Sequence, residues 1–427
     1  MKKSSTLTTG IILLIMVLLI SLLSLLISCT NQKTNNKDNP ENVKPYPHII
    51  SMEEGLKNAT QLKLSDIADS ISYIVLSKDK EVLIGSFRRL QLTDNDLYIT
   101  SDGLVMRFDL SGKFLNSFGG IGRGPVEYLP GSVYTTTPKN DKILILRSMM
   151  NDYLSFKPNG DYIGITNLSH SRNLFDFVNI SDSVFLFTFY FVGMFMTEDV
   201  FESMSCTAGL FDQDGKPIKI IKHPLNNTTA SENEMKRIIS VAPAFTFFDN
   251  RVVLSPEGDT IYEIDKNSIL PGFIFNWGSL PHKQSLEDLY YRQTESTNKV
   301  INYRPIFETS RKAYFRGSNM SDYFIFEYDK ITGENRSMPV EEDNLGLIND
   351  LDGGANYFPY WTNRNGDIWI VNDDAYNFRE KHSEEFLSKS AAKYPEMKEK
   401  LRVFLNDLKM DDNPVLKIVY LKKYHNN

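Results

Sequence analysis

Short runs of β-type residues, separated by Asp, Asn and Gly, fill the chain from about residue 66 to residue 421. Within these runs apolar and aromatic residues alternate with polar ones, and the period of an amphipathic helix is almost absent. A period of two residues is typical of strands that bury one face. The pattern therefore predicts an all-β body.

Two features recur along this body. Polar turns lead into apolar strands at residues 94–99, 140–145, 181–186, 249–254 and 365–370, and hairpin turns containing Gly lie at residues 108–113, 156–161, 211–216 and 328–333. In a tight hairpin, Gly supplies a positive φ and an acidic or amide side chain closes the turn. Successive hairpins lie roughly 45 to 65 residues apart, which brackets the blade length of propellers. We therefore predict a six-bladed β-propeller over residues 66–427.

One blade is expected to be shared between the two ends of the chain. Residues 72–76 form a strand pattern with no hairpin partner nearby, and Val415–Leu421 form another at the far end. Pairing them would close the ring and remove two unpaired sheet edges. Before the last strand, a helical insertion is predicted at about residues 380–409, with Leu401, Phe404, Leu405 and Leu408 on one face.

The N-terminus has the pattern of a lipoprotein signal. Lys2 and Lys3 precede an apolar run over residues 11–27, and Cys29 follows Leu26-Ile27-Ser28. Such a run inserts into the bilayer, and the cysteine thiol accepts a lipid after cleavage. We predict a signal peptide over residues 1–28, lipidation of Cys29 and a flexible tether over residues 29–65. The alternative is an uncleaved membrane anchor, since the run approaches the length that spans a bilayer.

Composition narrows the partners. The 427 residues carry a net charge of −7 and a pI near 5.5, which argues against nucleic-acid binding. No acidic cluster follows Cys29, and such clusters resemble the surface-export signal of some lipoproteins. We therefore expect a protein of the bacterial cell envelope that is held on the membrane by its lipid and faces the periplasm.

Several motifs together resemble one family. They are Phe108-Asp109, Gly112-Lys113-Phe114, Gly122-Arg123-Gly124-Pro125-Val126-Glu127-Tyr128 and Asp412-Asn413-Pro414-Val415-Leu416. The chain resembles the exported six-bladed β-propeller lipoproteins of the TolB-like superfamily over nearly its whole mature length. It departs from their pattern at Val126, where the family usually has Gly. The resemblance implies the fold, but the activity of that family is largely uncharacterised.

The loop at residues 122–128 is the candidate site that this motif provides. Two glycines allow close approach of the backbone, and Pro125 restricts the residue before it. Glu127 is expected to pair with Arg123, with Tyr128 packed beneath. The loop would then serve either as a clasp between two blades or as a contact for a ligand.

No catalytic constellation is visible in the sequence. The six histidines show no metal-ligand spacing, and nucleophile-elbow, Walker and dinucleotide motifs are absent. Asp109, Asp212 and Asp329 lie in hairpin turns, where capping the turn explains them. We predict no catalytic residue and no cofactor.

Two functions remain open. A binding or scaffolding protein would use aromatic residues such as Tyr360, Trp361 and Trp277 to hold a glycan, a peptide or an envelope protein. A metal-assisted hydrolase or lyase would hold calcium on the axis, as propellers resembling gluconolactonases do, with carboxylates converging at the channel mouth. The missing constellation favours binding over catalysis.

Overall fold

A computed structural model describes residues 46–78, 82–85, 87–169, 174–189, 192–193, 206–222, 238–239, 243–256, 258–280, 301–318 and 322–423. In this part of the chain, six sheets of four or five strands form a six-bladed β-propeller. The fold class predicted from the repeated turns is therefore confirmed.

The blades are numbered by the position of their first strand, which lies nearest the axis, and each is antiparallel. Blade one contains Phe87–Leu92, Asp96–Ser101, Leu104–Asp109 and Phe114–Phe118, and blade two contains Val133–Thr136, Ile143–Arg147, Asp152–Phe156 and Tyr162–Asn167. Blade three contains Leu174–Ser181, Val184–Phe189, Cys206–Asp212 and Pro217–Lys222, and blade four contains Ala244–Phe248, Arg251–Ser255, Thr260–Ile264 and Ile269–Asn276. Blade five contains Ile301–Glu308, Lys312–Ser318, Tyr323–Asp329 and Asn335–Val340, and blade six contains Trp361–Thr362, Ile368–Asp373, Val415–Leu421 and Ala68–Val75.

Shorter elements lie between the blades. The remaining strands are His48–Ser51, the parallel pair Gly120–Ile121 and Glu127–Tyr128, and the antiparallel pair Val192–Gly193 and Ile238–Ile239. The helices are Met52–Lys57, Ala375–Lys381, Glu384–Lys389 and Pro395–Asp407, with 3-10 turns at Leu64–Asp66 and Glu342–Asn344.

The two ends of the chain close the ring, as predicted. Ala68–Val75 is the outermost strand of blade six and pairs antiparallel with Val415–Leu421, with Tyr73 opposite Lys417. Separate clusters of buried apolar side chains fill the space between every two neighbouring blades, including blades six and one. The ring is therefore continuous, and its closing blade is packed on both sides.

The folded body begins earlier than residue 66, the boundary predicted from composition. His48–Ser51 adds a fifth, parallel strand to the outer edge of blade four, and Ala59 bridges Ser337 on the outer strand of blade five. Residues 46–67, the N-terminal strap, thus cross blades four and five before reaching blade six. The predicted tether is shortened accordingly because this segment covers sheet edges that would otherwise be unpaired.

Both repeated turn types lie at one end of the propeller. Strand direction alternates, so the connections from first to second strand and from third to fourth share that end. In three of the hairpins one carboxylate oxygen accepts two backbone N–H bonds, with Asp109, Asp212 and Asp329 as the acceptors. The turn-capping role predicted for these residues is confirmed.

The C-terminal helices occupy the connection between the second and third strands of blade six, residues 374–414. Leu401 and Leu408 are buried with Phe378 and Val75, while Phe404 and Leu405 pack at the edge of the same cluster. The single helical face predicted from the sequence therefore contacts the closing blade. None of the helices in the described residues has the length and apolarity needed to cross a membrane. The apolar run at residues 11–27 and Cys29 lie outside the described residues.

Closure makes a prediction about two residues of the last strand. Leu416 is fully buried between blades six and one, whereas Tyr420 is 40% exposed on the same strand. Leu416→Ala should lower the free energy of unfolding by about 2 to 5 kcal/mol because it leaves a cavity at the closing interface. Tyr420→Ala should cost less than about 1 kcal/mol. Urea denaturation measures both, and equal losses would contradict the role given to the closing strand.

Candidate functional site

A cavity of about 980 Å³ lies on the axis, where the first strands of the blades begin. All six blades contribute to its wall, through segments that include residues 88–91, 132–133, 174–176, 244–247, Pro305 and 360–362. The turn at residues 148–150, between the second and third strands of blade two, also lines it. The cavity thus opens at the end of the propeller opposite the capped hairpins and on the same side as the C-terminal helices. We call it the channel cavity.

Arg364 crosses the other end of the channel. It lies in the turn after the first strand of blade six, and its Nη2 donates to the carbonyl oxygens of Thr136 (2.8 Å) and Asn179 (3.0 Å). These carbonyls belong to blades two and three. Its guanidinium also stacks on Phe247, 5.3 Å from the ring centre. One side chain therefore ties four blades together below the cavity.

Arg89 connects four blades at the level of the cavity. It starts on the first strand of blade one and forms an ion pair with Asp176 of blade three. On its way it stacks on Tyr134 of blade two (5.5 Å) and Phe245 of blade four (5.4 Å). Burial raises the pKa of the Asp176 carboxyl, and the charge of Arg89 opposes that rise.

The charges on the cavity wall are mostly positive. Among the described lining residues, Arg88, Arg89 and Arg147 are basic and Asp176 is the one carboxylate. The only amide side chain there, Gln91, is held by bonds to Thr136 of blade two. The convergence of acids that a calcium-dependent enzyme requires is not found in this part of the wall.

The loop at residues 122–128 is a clasp between blades one and two. The Glu127 carboxylate accepts the backbone N–H of Gly124 (2.7 Å), so the predicted pairing with Arg123 is wrong. A backbone N–H close by is a better-placed donor than the Arg123 side chain, which is exposed to solvent. A Cβ on Gly122 would lie 2.0 Å from the Glu127 carboxylate, which explains the glycine.

Tyr128 packs beneath this loop, as predicted. It is fully buried, and its hydroxyl donates to the Phe118 carbonyl (2.7 Å) and accepts from the Val105 N–H (2.9 Å). Burial raises the pKa of this hydroxyl to about 12. Tyr128 also lines the channel cavity, so the clasp forms part of the cavity wall.

Arg147 fastens the clasp from blade two. Two parallel bonds of 2.6 Å join its guanidinium to Asp152, and its Nη1 reaches the carbonyl of Glu127 at 3.2 Å. A bidentate pair of this kind fixes the guanidinium plane. The sequence gave no sign of this contact, because Arg147 follows an ordinary apolar strand.

Two of the predicted aromatic residues lie together on the wall, and a third does not. Tyr360 is 49% exposed, its ring lies 5.7 Å from that of Trp361, and Trp361 contacts Phe87 of blade one at 5.3 Å. Trp277 is instead buried between blades four and five, where its Nε1 donates to Asp259. Its assignment to the channel is therefore wrong: it follows the outermost strand of blade four, far from the axis.

The described residues contain no group of three or more His, Cys, Asp or Glu side chains arranged to hold a metal ion. Calcium was expected only for a ring of carboxylates and amides on the axis, and the channel cavity does not present one in its described wall. The geometry instead suits an organic ligand that packs on aromatic rings and meets guanidinium groups.

Comparisons with known proteins agree with this fold. The model of a family described as "Domain of unknown function (DUF4934)" matches residues 47–420. A "putative exported protein" from Bacteroides fragilis is similar in structure, with a TM-score of 0.61 and 16% identity over 88% of this chain and 99% of that one. A member of the DUF4221 family from Bacteroides vulgatus has a TM-score of 0.46 and 12% identity over 83% and 97% of the two chains. None of the curated proteins searched matches.

The Arg89–Asp176 pair should behave as a buried ion pair. Arg89→Met should lower the free energy of unfolding by about 3 to 5 kcal/mol, because it leaves a buried carboxylate without a partner. Adding Asp176→Leu should recover most of that loss. Urea denaturation of both single variants and the double variant gives the coupling energy.

The exposed pair Lys139–Asp182 provides the control for this cycle. Lys139→Met should leave the denaturation midpoint nearly unchanged, because exposed ion pairs contribute little. Simple additivity of the Arg89 and Asp176 substitutions would contradict the interpretation.

Proposed function

We propose that this chain, which belongs to the DUF4934 family of unknown function, is a cell-envelope lipoprotein whose β-propeller binds a ligand in the channel cavity. One observation carries the proposal: all six blades contribute to a solvent-open cavity of about 980 Å³. That volume lies at the upper end of small-molecule sites. An aromatic surface at Tyr360 and Trp361 provides contact area for such a ligand.

Stability alone does not account for these exposed aromatic groups. Tyr360 and Phe175 leave 49% and 47% of their surface exposed, although blade cores are close at hand. Aromatic rings exposed together in a concave site favour recognition of a partner. A scaffold that holds a glycan, a peptide or a small molecule accounts for this arrangement.

Export and anchoring rest on the N-terminal sequence. The order of basic residues, apolar run and Cys29 is that of a lipoprotein signal. A structural neighbour described as a "putative exported protein" is consistent with an address in the envelope. The N-terminal strap first contacts the body on blade four, so the lipid would hold the propeller through that side.

A calcium-dependent hydrolase is not favoured. Its site would need several carboxylates or amides free to converge on one ion. On the described wall, the Asp176 carboxylate is paired with Arg89 and the Gln91 amide is bonded to Thr136.

Anchoring is tested by fractionation. Cys29→Ala should move the protein from the membrane fraction to the soluble fraction, because the lipid acceptor is gone, while the propeller remains folded. Metabolic labelling with a radioactive fatty acid should mark the native chain and not the variant. If the variant stays in the membrane, the apolar run is an uncleaved anchor.

Ligand binding is tested through tryptophan fluorescence. Of the three tryptophans, Trp361 lines the cavity, whereas Trp277 and Trp369 are at most 6% exposed. A panel of neutral and acidic oligosaccharides, short peptides and small aromatic compounds is titrated into the purified mature chain. At least one of them should cause a saturable change that Trp361→Phe abolishes and Trp277→Phe retains.

Calorimetry on Tyr360→Ala provides a second readout. Its affinity for the same compound should fall roughly tenfold, the scale of one aromatic contact. If no compound produces a saturable, Trp361-dependent change, the cavity is not a binding site for these classes.

A further inference from the structure

We propose that the channel cavity selects a small anionic molecule and that Arg88 binds its acidic group. This inference rests on the proposed function and adds the chemical class of the ligand. It starts from the uneven distribution of charge, since the chain as a whole carries −7 while the cavity wall is basic.

Two of the three basic residues on the wall are already paired. Arg89 forms an ion pair with Asp176, and Arg147 forms a bidentate pair with Asp152. Each of these guanidinium groups is fixed in place and most of its charge is balanced. They shape the wall but offer little free charge to a ligand.

Arg88 differs from both. It lies on the first strand of blade one, faces solvent on the cavity wall, and makes no ion pair or hydrogen bond with the described residues. Its Nη1 lies beside Gly131, where a Cβ built on the glycine would be 3.7 Å away. A side chain at position 131 would narrow the space around the guanidinium, so glycine leaves it open. The guanidinium fork suits a carboxylate, sulfate or phosphate.

Arg364 adds positive charge below the cavity. Its hydrogen bonds go to backbone carbonyls, and no carboxylate of the described residues pairs with it. Burial, together with the charge of Arg89, lowers the pKa of Arg364 to about 10. Counting Arg88, Arg89, Arg147 and Arg364 against Asp152 and Asp176 leaves two positive charges on this part of the axis. An anion entering the cavity would reduce the cost of holding them there.

The remainder of the ligand is expected to be apolar on at least one side. Tyr360 and Phe175 expose about half of their rings on the same wall as Arg88. An acidic group beside a flat apolar face fits both features. Acidic sugars and aromatic acids share this chemistry, and the cavity volume suits a small molecule better than an extended chain.

Two pairs of probes test the role of charge. Anilinonaphthalene sulfonate is compared with N-phenylnaphthylamine, which has the same rings without the sulfonate, and digalacturonate is compared with its dimethyl ester. In at least one pair the anion should bind the mature chain tenfold or more tightly than its neutral twin, with the fluorescence change dependent on Trp361. The pair that shows the preference identifies an aromatic acid or an acidic sugar as the source of the charge.

Matched variants locate the effect. Arg88→Gln should remove most of the preference for the anion while leaving binding of the neutral twin unchanged, and Arg88→Lys should restore part of it. Arg336→Gln removes the same charge from the exposed outer strand of blade five and should change nothing. Raising the salt concentration from 50 to 500 mM should weaken binding of the anion several-fold.

The outcomes separate this inference from the proposed function. Equal binding of charged and neutral twins, or an anion preference that survives Arg88→Gln, overturns the inference and leaves the cavity as a binding site. If neither these probes nor the wider panel produces a Trp361-dependent change, both proposals fall.

Discussion

The pairing of the two chain ends is the constraint on which the rest of the structure depends. A cavity on the axis exists only while all six blades surround it, and blades six and one meet only because Ala68–Val75 pairs with Val415–Leu421. An open arc would leave two apolar sheet faces in water and two unpaired edges. Closure therefore supplies both the largest gain in burial and the geometry of the site.

The axis is held by charged side chains as well as by apolar packing. Arg89 and Arg364 each contact several blades, one at the level of the cavity and one below it. Buried guanidinium groups are costly unless they are paired, so they contribute little to stability by themselves. Their long side chains instead fix the relative positions of strands that come from distant parts of the chain. Ordering the channel in this way leaves positive charge beside an open cavity.

The parts of this fold that could be predicted from the sequence are those encoded locally. Each capped hairpin carries its own Asp and Gly, so Asp109 or Asp212 can be interpreted without knowing what lies opposite. The strand at His48–Ser51 has no such sign, because its parallel partner on blade four is distant in sequence and no turn links them. The cavity wall was missed for the same reason: Arg88, Asp176 and Phe245 become neighbours only when the ring forms. Adjacent arginines within an otherwise apolar first strand were the one available clue.

Closure and the site are also linked by direct contacts. Asn413, just before the closing strand, donates to the carbonyls of Ser77 and Val82 and accepts the N–H of Ile84. These bonds hold the segment that leads from the closing blade to the first strand of blade one, which carries Arg88. The C-terminal helices pack on the same blade and at the same end of the propeller. A change in the closing strand should therefore shift the cavity mouth before it opens the ring, because the segment bearing Arg88 is held by the residue next to that strand.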